Sequence, residues 1–192
     1  MMTSNNALVP DPDKQDDLAS QWWQWPILHV GLRMCSWDDS VVKYFLLGNP
    51  FVYWASTAGL GIFGLLVVWY VLRWQRGYEE LSDTEIDQIH YAGFYPVAGW
   101  FLHYLPFVIM ARVTYVHHYY PALYFAIFTL GFLADWFLRN QRKVIQLVAY
   151  SGLYSIVVGL YIYFIPICWG MAGSNKQYSY MKWFDTWRIS DD

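Results

Sequence analysis

Charged residues are scarce in this sequence. Of the 192 residues, 14% are Asp, Glu, Lys or Arg, whereas a water-soluble domain carries about 25%. The deficit falls in long uncharged stretches, which a water-exposed surface cannot supply and a lipid-exposed surface requires. The composition therefore predicts an integral membrane protein.

An excess of positive charge and a set of cysteines are also lacking. The net charge is −3 and the basic residues are scattered, so the chain carries no electrostatic footprint for nucleic acid. The two cysteines, Cys35 and Cys168, are too few and too badly placed for a disulfide framework or a zinc site. We interpret both as packing residues.

Four stretches reach the roughly 20 apolar residues that a bilayer core of about 30 Å requires. Short polar connections separate them, which is the loop pattern of an antiparallel helical bundle. The sequence therefore predicts an all-α membrane region at 50–169, between an extramembrane segment at 1–49 and a tail at 170–192. The four predicted spans are 50–72, 91–110, 120–138 and 145–169.

Local patterns predict how some of these helices begin and end. Ser82, followed three residues later by Glu85, forms a capping-box pattern that predicts a helix leading into the second span. Pro121 fits the first turn of the third span, where its missing N–H is not needed. Asp135 and Arg139 have the four-residue spacing of an ion pair on one helix.

Tryptophans flank the predicted spans on both sides. Such amphipathic rings favour the headgroup region of a bilayer, which predicts that both chain ends lie along one membrane face. Counting the loops together with Lys43, Lys176, Lys182 and Arg188 of the flanks gives five basic residues for each face, so the positive-inside rule leaves the orientation open. These tryptophans are Trp22, Trp23, Trp25 and Trp37 before the first span, and Trp183 and Trp187 after the last.

The connection between the second and third spans carries a candidate phosphate site, formed by Arg112, His117 and His118. A permanent guanidinium, two imidazoles that can donate hydrogen bonds and the N-terminus of a helix all favour an anion. The alternative is that Arg112 contacts anionic headgroups and the histidines cap or bridge helices. We predict no metal site, because adjacent helical residues point apart and no nearby carboxylate or cysteine completes a set of ligands.

Other polar residues are weaker candidates. His103 and Tyr104 fall inside the second span, where an ionisable group is a functional candidate by default; a neutral imidazole hydrogen-bonded across helices fits the sequence equally well. Asp38 and Asp39 are near the predicted membrane surface, but we interpret them as a solvated turn. We assign no catalytic residue to this chain.

Three segments of the chain resemble the eukaryotic protein O-mannosyltransferases. Two motifs together are specific to that family: Leu-Gly-Asn-Pro at the entry to the first span, and His-His-Tyr-x-Pro-Ala-Leu in the turn before the third. The sequence of this turn is most similar to the fungal second subfamily. The segments are NNALVPDPDKQDDLASQWWQWPILHVGLRMCSWDD (5–39), KYFLLGNPFVYW (43–54) and GWFLHYLPFVIMARVTYVHHYYPALYF (99–125).

The resemblance implies a function that this chain cannot perform alone. Family members are multi-pass proteins of the endoplasmic reticulum membrane with a C-type glycosyltransferase fold, and transfer mannose from dolichyl phosphate mannose to Ser or Thr of secretory proteins. We expect no cofactor in the portion that this chain represents. Second-subfamily members work as heterodimers with another protein O-mannosyltransferase. The chain resembles their C-terminal membrane portion, and no residue matches the family's catalytic acidic pair. The alternative is a non-catalytic membrane module for assembly with partner subunits.

The resemblance also implies that both ends of this portion are luminal. Residues 1–20 contain neither the basic nor the apolar region of a secretory signal, and a luminal tail of 49 residues without a signal is unusual. We therefore expect Met1 to be an internal methionine of a longer chain.

Overall fold

Four long helices dominate the computed structural model, which describes residues 18–35, 37–38, 40–109 and 113–190. Within these ranges, four helical stretches are long and apolar enough to cross a membrane, so the predicted all-α membrane fold is confirmed. The stretches are Pro50–Gln75, Asp83–Ile109, Val116–Leu138 and Lys143–Trp169.

The regular elements follow one another along the chain with short connections. Short 3-10 turns at Trp22–Gln24, Val116–Tyr119 and Asn175–Met181 complete the structure. The strands are β1 (Leu32–Met34) and β2 (Tyr44–Leu46), and the helices are α1 (Pro50–Gln75), α2 (Asp83–Gln88), α3 (Tyr95–Ile109), α4 (Tyr120–Leu138) and α5 (Lys143–Trp169).

Side-chain caps set the beginnings of the first two spans. The Asn49 side chain accepts a hydrogen bond from the Val52 N–H, and Pro50 occupies the first turn of α1, where proline is favoured. The predicted capping box is confirmed: the Ser82 hydroxyl accepts from the Glu85 N–H, and the Glu85 carboxylate accepts from the Ser82 N–H at 3.0 Å. Both caps satisfy N–H groups that a helix leaves without partners.

A π-helical segment, Ile89–Phe94, joins α2 to α3 within the second span. It brings Gly93 against α1 and α4, so close that a Cβ on Gly93 would lie 2.4 Å from the Phe63 ring and 3.1 Å from the Phe132 ring. A side chain at this position would require the Phe63 ring to move, and small residues of this kind let helix backbones approach inside membranes. At Gly93 the second span therefore packs directly against side chains of the first and third spans.

The described segments before the first span and after the last meet in one layer beside the four helices. Strands β1 and β2 pair antiparallel, and Lys43 forms a backbone bridge with Met171, just after α5. The Trp187 indole N–H donates to the Leu28 carbonyl at 2.9 Å. The segments before the first span and after the last thus form a single extramembrane layer.

The flanking tryptophans differ in burial. Trp22, Trp23 and Trp183 remain exposed and Trp37 is half-buried, but Trp25 and Trp187 are fully buried. The prediction that all of them favour the headgroup region is therefore wrong for this pair. The reason is that both rings fill the core of the layer. That core is formed by residues distant in sequence, so no local pattern predicts which tryptophans it buries.

The packing interpretation of the cysteines holds for only one of them. Cys168 is half-buried, with its thiol 3.9 Å from the Leu47 carbonyl oxygen. Cys35 is exposed and has a φ of 56°, in the turn that follows β1. The prediction for Cys35 is wrong because this turn leaves the side chain outside the core.

The predicted ion pair between Asp135 and Arg139 is also wrong. The Arg139 guanidinium instead donates to Glu85 at 2.9 Å and to Gln88, and lies 3.8 Å from the centre of the Trp136 ring. The capping box already holds the Glu85 carboxylate in place through one oxygen, so the other oxygen is oriented for Arg139. The pair ties the start of the second span to the end of the third.

We expect Glu85→Ala to destabilise the protein more than Asp135→Ala. The first change removes both the capping-box hydrogen bond from the Ser82 N–H to the Glu85 carboxylate, worth about 1 kcal/mol, and a partly exposed ion pair, worth up to about 1 kcal/mol. The second removes an exposed carboxylate, which normally changes stability by about 0.5 kcal/mol or less. Thermal unfolding of both variants in the same detergent measures the difference. Equal midpoints would contradict the cross-helix role of Glu85.

Candidate functional site

The loop between the second and third spans is attached to the beginning of the described chain. Ser20 donates its backbone N–H to the Thr114 carbonyl, and the Thr114 hydroxyl donates to the Ser20 carbonyl, both at 2.8 Å. Both residues are buried, so water does not compete for these hydrogen bonds. Arg112, the predicted guanidinium of the phosphate site, lies outside the described residues.

The structure brings the two predicted histidines together. The rings of His117 and His118 stack with their centres 4.3 Å apart. They lie in the 3-10 turn Val116–Tyr119, which continues directly into α4. The imidazoles therefore occupy the N-terminal end of a helical stretch that runs to Leu138, where the backbone dipoles favour an anion.

His118 faces inward and supports the turn. Its Nδ1 lies 3.1 Å from the Tyr115 backbone nitrogen and 3.0 Å from the Tyr115 carbonyl oxygen. Its ring packs against Phe107 at 5.2 Å and Trp25 at 6.4 Å between centres. This is the geometry of a capping residue that also fills the core.

His117 has a different environment. It is exposed, and its ring lies parallel to Tyr115 at 5.7 Å and against His118. Among the described residues it has no hydrogen-bond partner. Its ring nitrogens are therefore available to an external anion, while the stacked neighbours fix the orientation of the ring.

A cluster of buried aromatic residues, which the sequence did not reveal, supports this loop. Tyr119 is fully buried and its hydroxyl accepts from the Trp100 indole N–H at 3.1 Å. The Tyr104 hydroxyl donates to the Trp22 carbonyl at 2.8 Å, and the Tyr53 ring packs 5.8 Å from Tyr119. Tyr104 thus has a structural anchoring role. The partners lie on different elements, so no local pattern could have identified the cluster.

His103 forms its hydrogen bond within its own helix. Its Nδ1 lies 2.8 Å from the Gly99 carbonyl oxygen and its ring packs 4.9 Å from Phe125. A carbonyl can only accept, so Nδ1 carries the proton. The hydrogen bond of His103 thus runs to the preceding turn of α3 and not across helices.

Asp38 is held in a turn. Its carboxylate accepts from the Ser40 backbone N–H at 3.0 Å, and this bond, together with the Ser40 hydroxyl, lowers the pKa of Asp38 below its usual value. A lower pKa makes the carboxylate a weaker base. Asp39 lies outside the described residues. Within the described part of the chain, no three His, Cys, Asp or Glu side chains are grouped to hold a metal ion.

Comparison with known proteins identifies one family and, within it, the C-terminal membrane region. Residues 1–187 match a family model described as the C-terminal four TMM region of protein-O-mannosyltransferase. The chain is 45% identical to dolichyl-phosphate-mannose–protein mannosyltransferase 2 of Candida albicans, over 100% of the chain and 26% of the relative. It is 46% identical to dolichyl-phosphate-mannose–protein mannosyltransferase 6 of Saccharomyces cerevisiae, over 99% of the chain and 25% of the relative.

A solved structure shows the same arrangement of helices. It is the S. cerevisiae protein O-mannosyltransferase Pmt1-Pmt2 complex bound to the sugar donor, with a TM-score of 0.81 and 29% identity over 96% of this chain. The chain spans about a quarter of the length of these relatives. The match covers the extramembrane layer as well as the spans, and the chain belongs to the protein O-mannosyltransferase family, of which it corresponds to the C-terminal four-span region.

Proposed function

We propose that this chain is the C-terminal membrane portion of an enzyme that transfers mannose from dolichyl phosphate mannose to Ser or Thr of secretory proteins at the endoplasmic reticulum membrane. The observation that supports this most directly is the family match over residues 1–187. The relatives at 45% and 46% identity carry the name of that activity, and the similar complex is bound to the sugar donor.

The part we assign to this chain is binding of the donor phosphate. His117 contributes an exposed, oriented imidazole, and Arg112, five residues earlier, contributes a permanent positive charge. His118 holds the turn and the His117 ring, so its contribution is positioning. Hydrogen bonds from cations to phosphate oxygens are stronger than neutral ones, and the helical N-terminus adds favourable dipoles.

Assembly with a second family member is also part of the proposal. The similar structure is a complex of two protein O-mannosyltransferases. In this chain α5 is exposed along most of its length, including Leu147, Val148 and Tyr154, so a large apolar surface is presented to lipid or protein. This observation also favours the second candidate function, a non-catalytic module for assembly with partner subunits.

Neither candidate function gives this chain catalytic activity of its own. We expect residues 1–192 alone to show no mannosyl transfer, because binding of a phosphate cannot replace the base that activates the acceptor hydroxyl. The measurement is transfer from dolichyl phosphate mannose to a serine-rich peptide by the purified chain in detergent. Transfer above that of a heat-treated sample would refute this expectation.

We further propose that both chain ends are luminal and that the loops after α1 and after α4 are cytosolic. The sequence contains no native Asn-x-Ser/Thr acceptor, so single acceptors can report the side directly. An acceptor introduced near Gly173 of the full-length protein should be glycosylated in cells, and one near Ser82 should not. The opposite result would reverse the orientation.

Donor binding is tested in the full-length enzyme that contains this chain. Loss of a hydrogen bond to a charged group costs roughly 1.5 to 3 kcal/mol. Arg112→Ala should therefore lower catalytic efficiency towards dolichyl phosphate mannose about ten- to hundredfold. Arg112→Lys should restore only part, because lysine lacks the planar fork that matches two phosphate oxygens. The matched control is Arg76→Ala. Arg76 is an exposed arginine directly after the C-terminal end of α1, at the opposite end of the spans from His117.

Alanine variants of His117 and His118 are compared with each other in the same assay. His117→Ala should weaken donor use without lowering the thermal stability of the protein, because its ring is exposed. His118→Ala should lower stability as well, since it removes the contacts with Tyr115 and Phe107. Donor dependence unchanged in both Arg112→Ala and His117→Ala would favour the alternative, in which these residues contact headgroups or support the turn.

A further inference from the structure

A cavity lies at the end of the four helices that is opposite the extramembrane layer. The last turns of α1 and the beginning of α2 enclose about 520 Å³. One part of its wall is apolar, formed by Val67, Val71, Ile86 and Ile89, and the other part carries charged side chains. Because both helices belong to membrane spans, the cavity lies where the apolar part of the chain meets its polar connection.

The charges in this cavity are not balanced. Arg73 is paired with Glu80, and its guanidinium lies 4.0 Å from the centre of the Tyr78 ring. Glu79 and Asp83 also line the cavity, and within the described chain neither takes part in an ion pair. Two carboxylates therefore remain for a cationic ligand, while Arg73 is held beside them by one bond to Glu80.

This combination favours an amphiphile with a cationic head. We propose that the cavity binds a phosphatidylethanolamine-type phospholipid, whose ammonium group donates to Glu79 and Asp83 while an acyl chain lies along the apolar wall. The phosphodiester then lies towards Arg73, whose guanidinium has more N–H donors than Glu80 uses. The site is at the opposite end of the spans from His117 and is independent of the proposed donor site.

The chemistry of the site distinguishes this lipid from other common ones. A choline head has no N–H to donate and binds through aromatic faces, but Arg73 already covers the face of Tyr78. A glycerol phosphate head carries a net negative charge, which Glu79 and Asp83 repel. Of these three heads, only the primary ammonium of ethanolamine supplies both positive charge and hydrogen-bond donors.

The test is native mass spectrometry of the full 192-residue chain in detergent, titrated separately with phosphatidylethanolamine, phosphatidylcholine and phosphatidylglycerol of identical acyl chains. Phosphatidylethanolamine should bind about tenfold more tightly than either of the others, as expected for a charge-assisted hydrogen bond at a partly exposed site. Equal binding of the three lipids would show non-selective annular lipid and overturn the proposal.

Variants locate the site. Glu79→Gln should weaken phosphatidylethanolamine binding about tenfold, and Ile86→Trp should abolish it by filling the cavity. Asp87→Asn is the matched control, because Asp87 is an exposed carboxylate of α2 that does not line the cavity. The proposal fails if Glu79→Gln and Asp87→Asn bind alike.

A soluble headgroup separates a lipid from a small ligand. O-phosphoethanolamine should not displace the bound lipid at equal concentration, since much of the binding comes from the acyl chain. Displacement at equal concentration would overturn the assignment of a lipid as the occupant.

Discussion

The extramembrane layer depends on one buried indole, that of Trp25. Its N–H donates to the Ser20 hydroxyl at 2.8 Å, and its ring is fully buried against Tyr104, Phe107 and His118. A buried tryptophan contributes a large apolar area and needs a partner for its N–H, and Ser20 supplies that partner. Because Ser20 is also paired with Thr114, a single side chain fixes the candidate phosphate loop relative to the second span.

The membrane spans follow a different constraint. In lipid, packing between helices depends on close fit and on polar contacts rather than on exclusion of water. The close fit is visible at Gly93, and the polar contacts are concentrated at the helix ends, where Glu85 joins Ser82 to Arg139. The interiors of the spans carry few such bonds, so the arrangement of the bundle depends strongly on its ends and on the layer beside it.

The sequence was informative wherever one local property decides the structure. Apolar length is sufficient to identify four spans, and the capping box at Ser82 and the proline at Pro121 were both found in the structure. It was not informative where partners are distant along the chain. The choice of Glu85 by Arg139 and the burial of Trp187 depend on contacts between elements that no short pattern encodes. The same holds for the candidate site: proximity of His117 and His118 follows from their adjacency, but only the structure shows that one faces inward and the other outward.

The π-helical segment at Ile89–Phe94 changes which side of the second span faces its neighbours. A π turn accommodates one residue more than an α-helical turn, so everything beyond it is rotated by about 100° relative to an uninterrupted α-helix. With this rotation two residues of the second span reach partners elsewhere in the protein: Glu85, which precedes the segment, and Tyr104, which follows it. An uninterrupted α-helix would turn Tyr104 about 100° away from its present direction relative to Glu85. The extra residue therefore sets the relative directions of the contacts at the two ends of the second span.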